Sequence, residues 1–218
     1  MPLATACVIF VAFSAPPYFM FDHREVWTIT FRPGIEPFHY ALVSLHVAFG
    51  VIALLSCCVQ VWPWFRRRFP VAHRRIGRAY VFAGVLPSAF FGVFTSILHM
   101  QGLNAQIGNL VLVTLWLGTA WSGFRAARSR NFGEHRKWMI RSFALCFSIV
   151  LNRLWVGVTL PIALMVDPVY ESEQAAEMAG IGAAVWLSWI VNLLVAEWWL
   201  QYRGKKATRG GRTRARPA

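Results

Sequence analysis

The feature that most constrains this chain is the alternation of long apolar runs with short segments that hold nearly all of its charge. Six runs, about residues 3–21, 38–62, 76–99, 106–124, 138–166 and 178–202, read as helices that cross a bilayer, for which roughly 20 residues span about 30 Å of hydrocarbon. Of the 22 lysines and arginines, 19 fall in three segments: Arg66–Arg78, Arg125–Arg141 and Arg203–Arg216. Seven of the nine acids (Asp22, Glu25, Glu36, Asp167, Glu171, Glu173 and Glu177) fall in the connections between. Bases gathered on every second connection mark the cytoplasmic side of a multi-spanning membrane protein. The net charge of +13 therefore reports topology rather than a nucleic-acid partner. The expected fold is an all-α integral membrane protein with six transmembrane helices. Spans two to five form a four-helix core, and spans one and six flank it. Residues 1–202 make a single domain, and 203–218 a disordered basic cytoplasmic tail. Both termini then lie in the cytoplasm, and the basic segments meet anionic lipids at that face.

Local signals refine this layout. The first run lacks a charged leader, and Pro16-Pro17 stands where a signal peptide would be cut, so it reads as a retained helix bent or ended by prolines. Gly84, Ser88, Gly92 and Ser96 recur every four residues, as do Gly180, Ala184, Ser188, Asn192 and Ala196, with Gly118 and Ser122 a shorter pair. Small residues at that spacing let helices approach closely in lipid. Pro161 is expected to kink or end the fifth span. Cys7, Cys57, Cys58 and Cys146 lie inside apolar runs without CxxC spacing and read as buried small hydrophobes.

Polar groups at membrane depth are the functional candidates. His73-Arg74-Arg75 and His135-Arg136-Lys137 each precede a span, with Arg78 and Arg141 in its first turn. This makes a weak internal repeat: spans two and three joined by one such loop, spans four and five by the other. Glu197 matches Arg141 in depth and is expected to pair with it. His39 and His46 share a face of span two, and Arg153 either snorkels outward or meets an anion or a polar pocket shared with His46. His73 and His135 either cap their helices beside lipid headgroups or face each other and ligate one metal centre. Two neutral imidazoles from opposed helices, with Arg78 and Arg141 near for propionates, are what a b-type haem requires.

Two resemblances follow from these residues. The strings HRRIGRAY at 73–80 and HRKWMIRSFAL at 135–145 resemble a bacterial family of predicted membrane proteins of unknown function, over about residues 38–160. The layout is also similar to the ascorbate-reducible transmembrane b cytochromes. That likeness implies inner haem ligands on spans three and five, at His73 and His135, and an outer ligand on span two, at His46. Span four, which carries the other outer ligand in that family, has no histidine here.

Three functions compete at this stage. The first is a membrane redox protein that binds haem b at the cytoplasmic face and exchanges electrons with a quinone or a partner. The second is a non-enzymatic accessory or assembly subunit of a larger membrane complex. The third is a small transporter or lipid-binding protein whose basic inner pocket takes an anionic headgroup or a carboxylate. No GxSxG, HExxH or phosphate-binding glycine loop is present. The bacterial cytoplasmic membrane is the expected location.

Overall fold

The computed structural model describes residues 2–20, 31–166, 170 and 172–214, with the backbone alone for 2–3 and 203–214. Every regular element among these is helical: α1 (Pro2–Ser14), a 3-10 turn (Pro16–Phe19), α2 (Glu36–Gln60), α3 (Pro63–Arg68), α4 (Pro70–Ala79), a π-helical turn (Tyr80–Val85), α5 (Leu86–Leu98), α6 (Leu103–Arg128), α7 (Phe132–Met165) and α8 (Glu173–Arg214). Proline in the first turn starts α2, α3 and α4, where the missing N–H has no helical partner anyway. Asn131 caps α7 by accepting from the Glu134 N–H at 3.2 Å. Gly102, at φ +89°, makes the turn into α6 that an L side chain would strain.

Five helices, not six, are long and apolar enough to cross a membrane among the described residues: α2, the continuous Pro70–Leu98 helix, α6, α7 and α8 to Tyr202. The first run is the exception. Pro16 and Pro17 withdraw two N–H donors, so α1 stops after 13 residues, about 20 Å of rise. The run still follows α2 through most of its depth. Cys7 joins Cys57 in the main core, and the Tyr40 hydroxyl donates to the Tyr18 carbonyl at 3.0 Å near the other end.

Helix ends also differ from expectation. The third span begins at Pro70, so His73, Arg74 and Arg75 lie inside the helix rather than in a loop. Only residues 129–131 separate α6 from α7, which puts His135 in the first turn of α7. Pro161 does not end α7, which runs on to Met165. Thr159 just before it is tied to the Gly180 carbonyl at 2.7 Å, and α8 supports this stretch along its length. Pro87 is absorbed by the π-helical turn that precedes it: the Leu86 N–H reaches back five residues to Val81, which makes room for the ring. The basic tail, expected to be disordered, continues α8 as far as Arg214, since adding residues to an established helix costs little. Much of the outer connection at 22–37 and of the acidic one at 167–177 lies outside the described residues.

Around the bundle, α2, the Pro70–Leu98 helix, α6 and α7 close a ring. α1 lies against α2 and α7. α8 lies against α7 and α6, and its pairing with α7 is the most extensive in the molecule. The small-residue stripes make these approaches possible. A methyl on Gly84 would stand 2.9 Å from the Ala53 Cα, and one on Gly180 2.9 Å from the Leu160 Cα. Gly118 is different, because nothing lies within 4 Å of its open face. Three polar rungs join α7 to α8: Thr159 to Gly180, the Asn192 side-chain amide to the Ala144 carbonyl at 3.1 Å, and Arg141 to Glu197. Buried Ser96, Ser148 and Ser188 donate to carbonyls of their own helices at 2.6–2.7 Å, as groups in lipid must when no water is at hand.

Candidate functional site

At the basic end of the bundle, two histidines occupy equivalent turns of two helices. His135 is held by its own helix hairpin. Its Nδ1 lies 2.8 Å from the Gly123 carbonyl on α6. A carbonyl only accepts, so Nδ1 carries the proton and the Nε2 lone pair is left free, the state of a metal-ligating imidazole. His73 is held through its backbone: the Gln60 amide at the end of α2 donates to the His73 carbonyl at 2.8 Å and packs over Gly77. The His73 Nδ1 is buried and has no hydrogen-bond partner among the described residues. Such orphaned nitrogens are rare, because a buried polar atom normally finds a partner. His135 is within electrostatic reach of His73.

Two turns further into the membrane, the same faces touch directly. Tyr80 follows His73 by seven residues, and Ser142 follows His135 by seven. Both are fully buried, and their hydroxyls are 2.6 Å apart. The Trp116 indole N–H donates to the Tyr80 hydroxyl at 3.2 Å and completes a three-helix node. Beside it lie the free thiols of the core, with Cys57 Sγ 4.0 Å from Cys146 Sγ and Cys57 donating to the Leu54 carbonyl at 3.0 Å. The node was not singled out from sequence. Its signal was the internal repeat, which puts Tyr80 and Ser142 at the same offset from the two histidines.

The other candidates are placed differently. Arg141 and Glu197 form a two-pronged ion pair, with Arg141 Nη2 to Glu197 Oε2 at 3.0 Å, and the guanidinium lies 4.8 Å from the Trp138 ring centre. The expected pair is present, and it withdraws Arg141 from any ligand at the histidines. Arg78 is exposed on the helix that carries His73, and Arg136 lies over the Trp199 ring at 5.6 Å. Arg153 is exposed on α7 without an ion pair among the described residues. His46 is wedged instead against α5: its Nδ1 meets the Ser88 carbonyl at 2.8 Å, and a methyl on Gly92 would come within 3.0 Å of it.

Among the described residues, the remaining histidines, His39 and His99, are at the opposite end. The Nδ1 of His39 accepts the Arg32 N–H at 3.1 Å, and that of His99 accepts the Gln101 N–H at 3.2 Å. An accepting Nδ1 puts the proton on Nε2, so neither ring offers a free lone pair. Burial, with His39 close by, holds His99 down to a pKa of about 4. Among the described residues an outer haem therefore finds at most His46 and no second ligand. At the basic end, the groups that a bis-histidine cofactor would use are His135, with its Nε2 freed, and His73, with its Nδ1 orphaned. Among the described residues no cluster of three or more histidines, cysteines or acids is arranged to hold a bare metal ion.

A family model described as a predicted membrane protein (DUF2306), of unknown function, matches residues 43–200, a span that includes every residue of the inner site. The search of curated proteins found no match, and neither did the search of solved structures.

Proposed function

The chain belongs to this family of predicted membrane proteins, and from that premise we propose that it is a membrane-embedded redox protein that holds haem b between His73 and His135. The observation that carries the reading is the Tyr80–Ser142 hydrogen bond at 2.6 Å, two turns above the histidines. It joins the two helix faces on which His73 and His135 stand, so that ligands from opposed helices can share one group. When bound, the haem would supply one-electron chemistry, exchanged with a quinone or a membrane partner. The chain's own part is to hold and orient. The Gly123 carbonyl fixes the tautomer of His135, Gln60 anchors the turn of His73, and Arg74 and Arg78 stand exposed nearby to meet propionates.

In this reading the site faces the cytoplasm of a bacterium, across whose inner membrane the chain is threaded with its bases inward. α1 and its 3-10 turn serve as a sixth crossing beside α2, supported by the contacts of Cys7 and Tyr18 at opposite depths. The test is an absorption spectrum of detergent-purified protein, oxidised and then reduced with dithionite. A Soret band with sharp reduced α and β bands is expected, lost in His73→Ala and in His135→Ala. A featureless spectrum from cells supplied with ample haem overturns the reading.

One observation favours the second reading, an accessory subunit of a larger complex. Gly118 on α6 and Gly157 on α7 have open faces with nothing within 4 Å, and small residues facing lipid let a partner helix approach. Stoichiometric co-purification of another membrane protein in mild detergent is the result expected of it.

A further inference from the structure

Outside the histidine site, the segment that leads into the third span carries a surface of its own. α3 ends at Arg68, the chain bends at Phe69, and α4 starts at Pro70. The bend leaves an open notch of about 530 Å³, with Arg68 and Arg75 on its walls and Phe69, Val71 and Ile76 along its apolar side.

Three features of this notch point to the same chemistry. No side chain caps α4 and the His73 N–H already bonds the Phe69 carbonyl, so the Val71 and Ala72 amides, both in the lining of the notch, are the ones without a helical partner. All six arginines between 66 and 78 lack an ion pair among the described residues, and the sequence has no acid between Glu36 and Glu134. Exposed aromatic rings line the approach: Trp62 and Trp64 are 4.7 Å apart, and Trp64 meets Phe69 edge-on at 5.7 Å. Indole rings of this kind settle at the level of lipid headgroups. Positive charge, free amides and an apolar wall at that level fit a phosphate that carries acyl chains.

We propose that the notch between α3 and α4 is a seat for one anionic phospholipid, its phosphate on Arg68, Arg75 and the α4 amides and its chains against Phe69, Val71 and Ile76. This seat is independent of the haem, since none of its residues belongs to the histidine pair. A soluble anion would use the polar half of the site only, and the apolar half favours the lipid.

The full-length protein, delipidated in detergent, is titrated in separate arms with a short-chain phosphatidylglycerol, a short-chain phosphatidylcholine and inorganic phosphate, with thermal stabilisation and tryptophan fluorescence as readouts. Phosphatidylglycerol is expected to bind best. Arg68→Gln and Arg75→Gln should each weaken it about fivefold, and together by roughly 25-fold. Both side chains are exposed, so folding should survive, and Arg68→Lys/Arg75→Lys should keep most of the binding. Arg125→Gln/Arg128→Gln removes the same charge from the other inner connection and should leave the affinity nearly unchanged. The proposal is overturned by equal losses in the two double variants, which would mean a diffuse positive surface. It is equally overturned by inorganic phosphate that competes on a par with the lipid, or by no loss in Arg68→Gln/Arg75→Gln.

Discussion

The two ends of the bundle use histidine in opposite ways. At the outer end His39 and His99 spend their Nδ1 lone pairs on backbone N–H groups of adjoining turns, and His46 is locked into the α2–α5 contact by Ser88 and Gly92. At the inner end His135 gives its Nδ1 proton to Gly123, and His73 has a buried Nδ1 with nothing to bond. Residue type and rough depth are alike at the two ends. What separates His39 and His99 from His135 is whether Nδ1 accepts a hydrogen bond or donates one. Where a ring accepts from the backbone of an adjoining turn its lone pair is spent, and where it donates to a carbonyl on a neighbouring helix, as His135 and His46 both do, the Nε2 lone pair remains.

The largest effect expected from this contrast is spectroscopic. His135→Ala should abolish the haem absorbance altogether, while His39→Ala and His99→Ala should retain it at wild-type intensity per protein. Equal loss in all three variants would mean that the two ends are not distinct.

Next comes packing. Gly92→Leu drives a side chain into His46, whose Nδ1 and Cε1 would lie 3.0 and 3.1 Å from the new Cβ, and Val113 closes the third side at 3.2 Å. A cost of about 2–3 kcal/mol is expected, read as a fall in midpoint on thermal unfolding in detergent. Gly118→Leu, on an open face, should change stability by less than about 0.5 kcal/mol. If the two leucine variants are equally stable, His46 is not the wedge described.

A smaller effect separates the ends by pH. His99 has a folded pKa of about 4, against about 6.5 unfolded. The unfolded chain therefore binds more protons between these values, and stability rises with pH across that window. The contribution is complete above about pH 6.5 and is lost as pH falls toward 4. Thermal midpoints measured down this range should drop, and less so in His99→Gln. A flat profile in wild type would count against the buried neutral ring.

The smallest effect concerns the inner ion pair. Arg141 and Glu197 side chains are 21% and 33% exposed, so water screens part of their attraction. Glu197→Gln should cost roughly 1–2 kcal/mol and leave any haem spectrum unshifted. A shifted spectrum would mean that Arg141 reaches the histidine site after all.

Much of this was legible beforehand, for identifiable reasons. Apolar runs and arginine placement follow from the cost of charge in hydrocarbon, a property of composition alone, so five spans, their hairpins and the Arg141–Glu197 pair could be read directly. The first run was expected to be bent or ended by its prolines, and the α-helix does end at Ser14 although the hydropathy continues through Pro16 and Pro17. Pro161 was expected to kink or end its span, and it does not end it, since a proline that breaks an isolated helix is carried by one packed along α8. The histidines could be named as candidates but not sorted.

The sequence by itself determined that the chain is helical and membrane-embedded, because periodicity and hydrophobicity are local quantities. Only the tertiary structure decided which imidazole nitrogens are free, that Tyr80 meets Ser142, and that Gly84 and Gly180 are contacts while Gly118 is not. Each of these depends on what a neighbouring helix presents at a distance of a few ångströms, and helices far apart in sequence set that distance only when they pack.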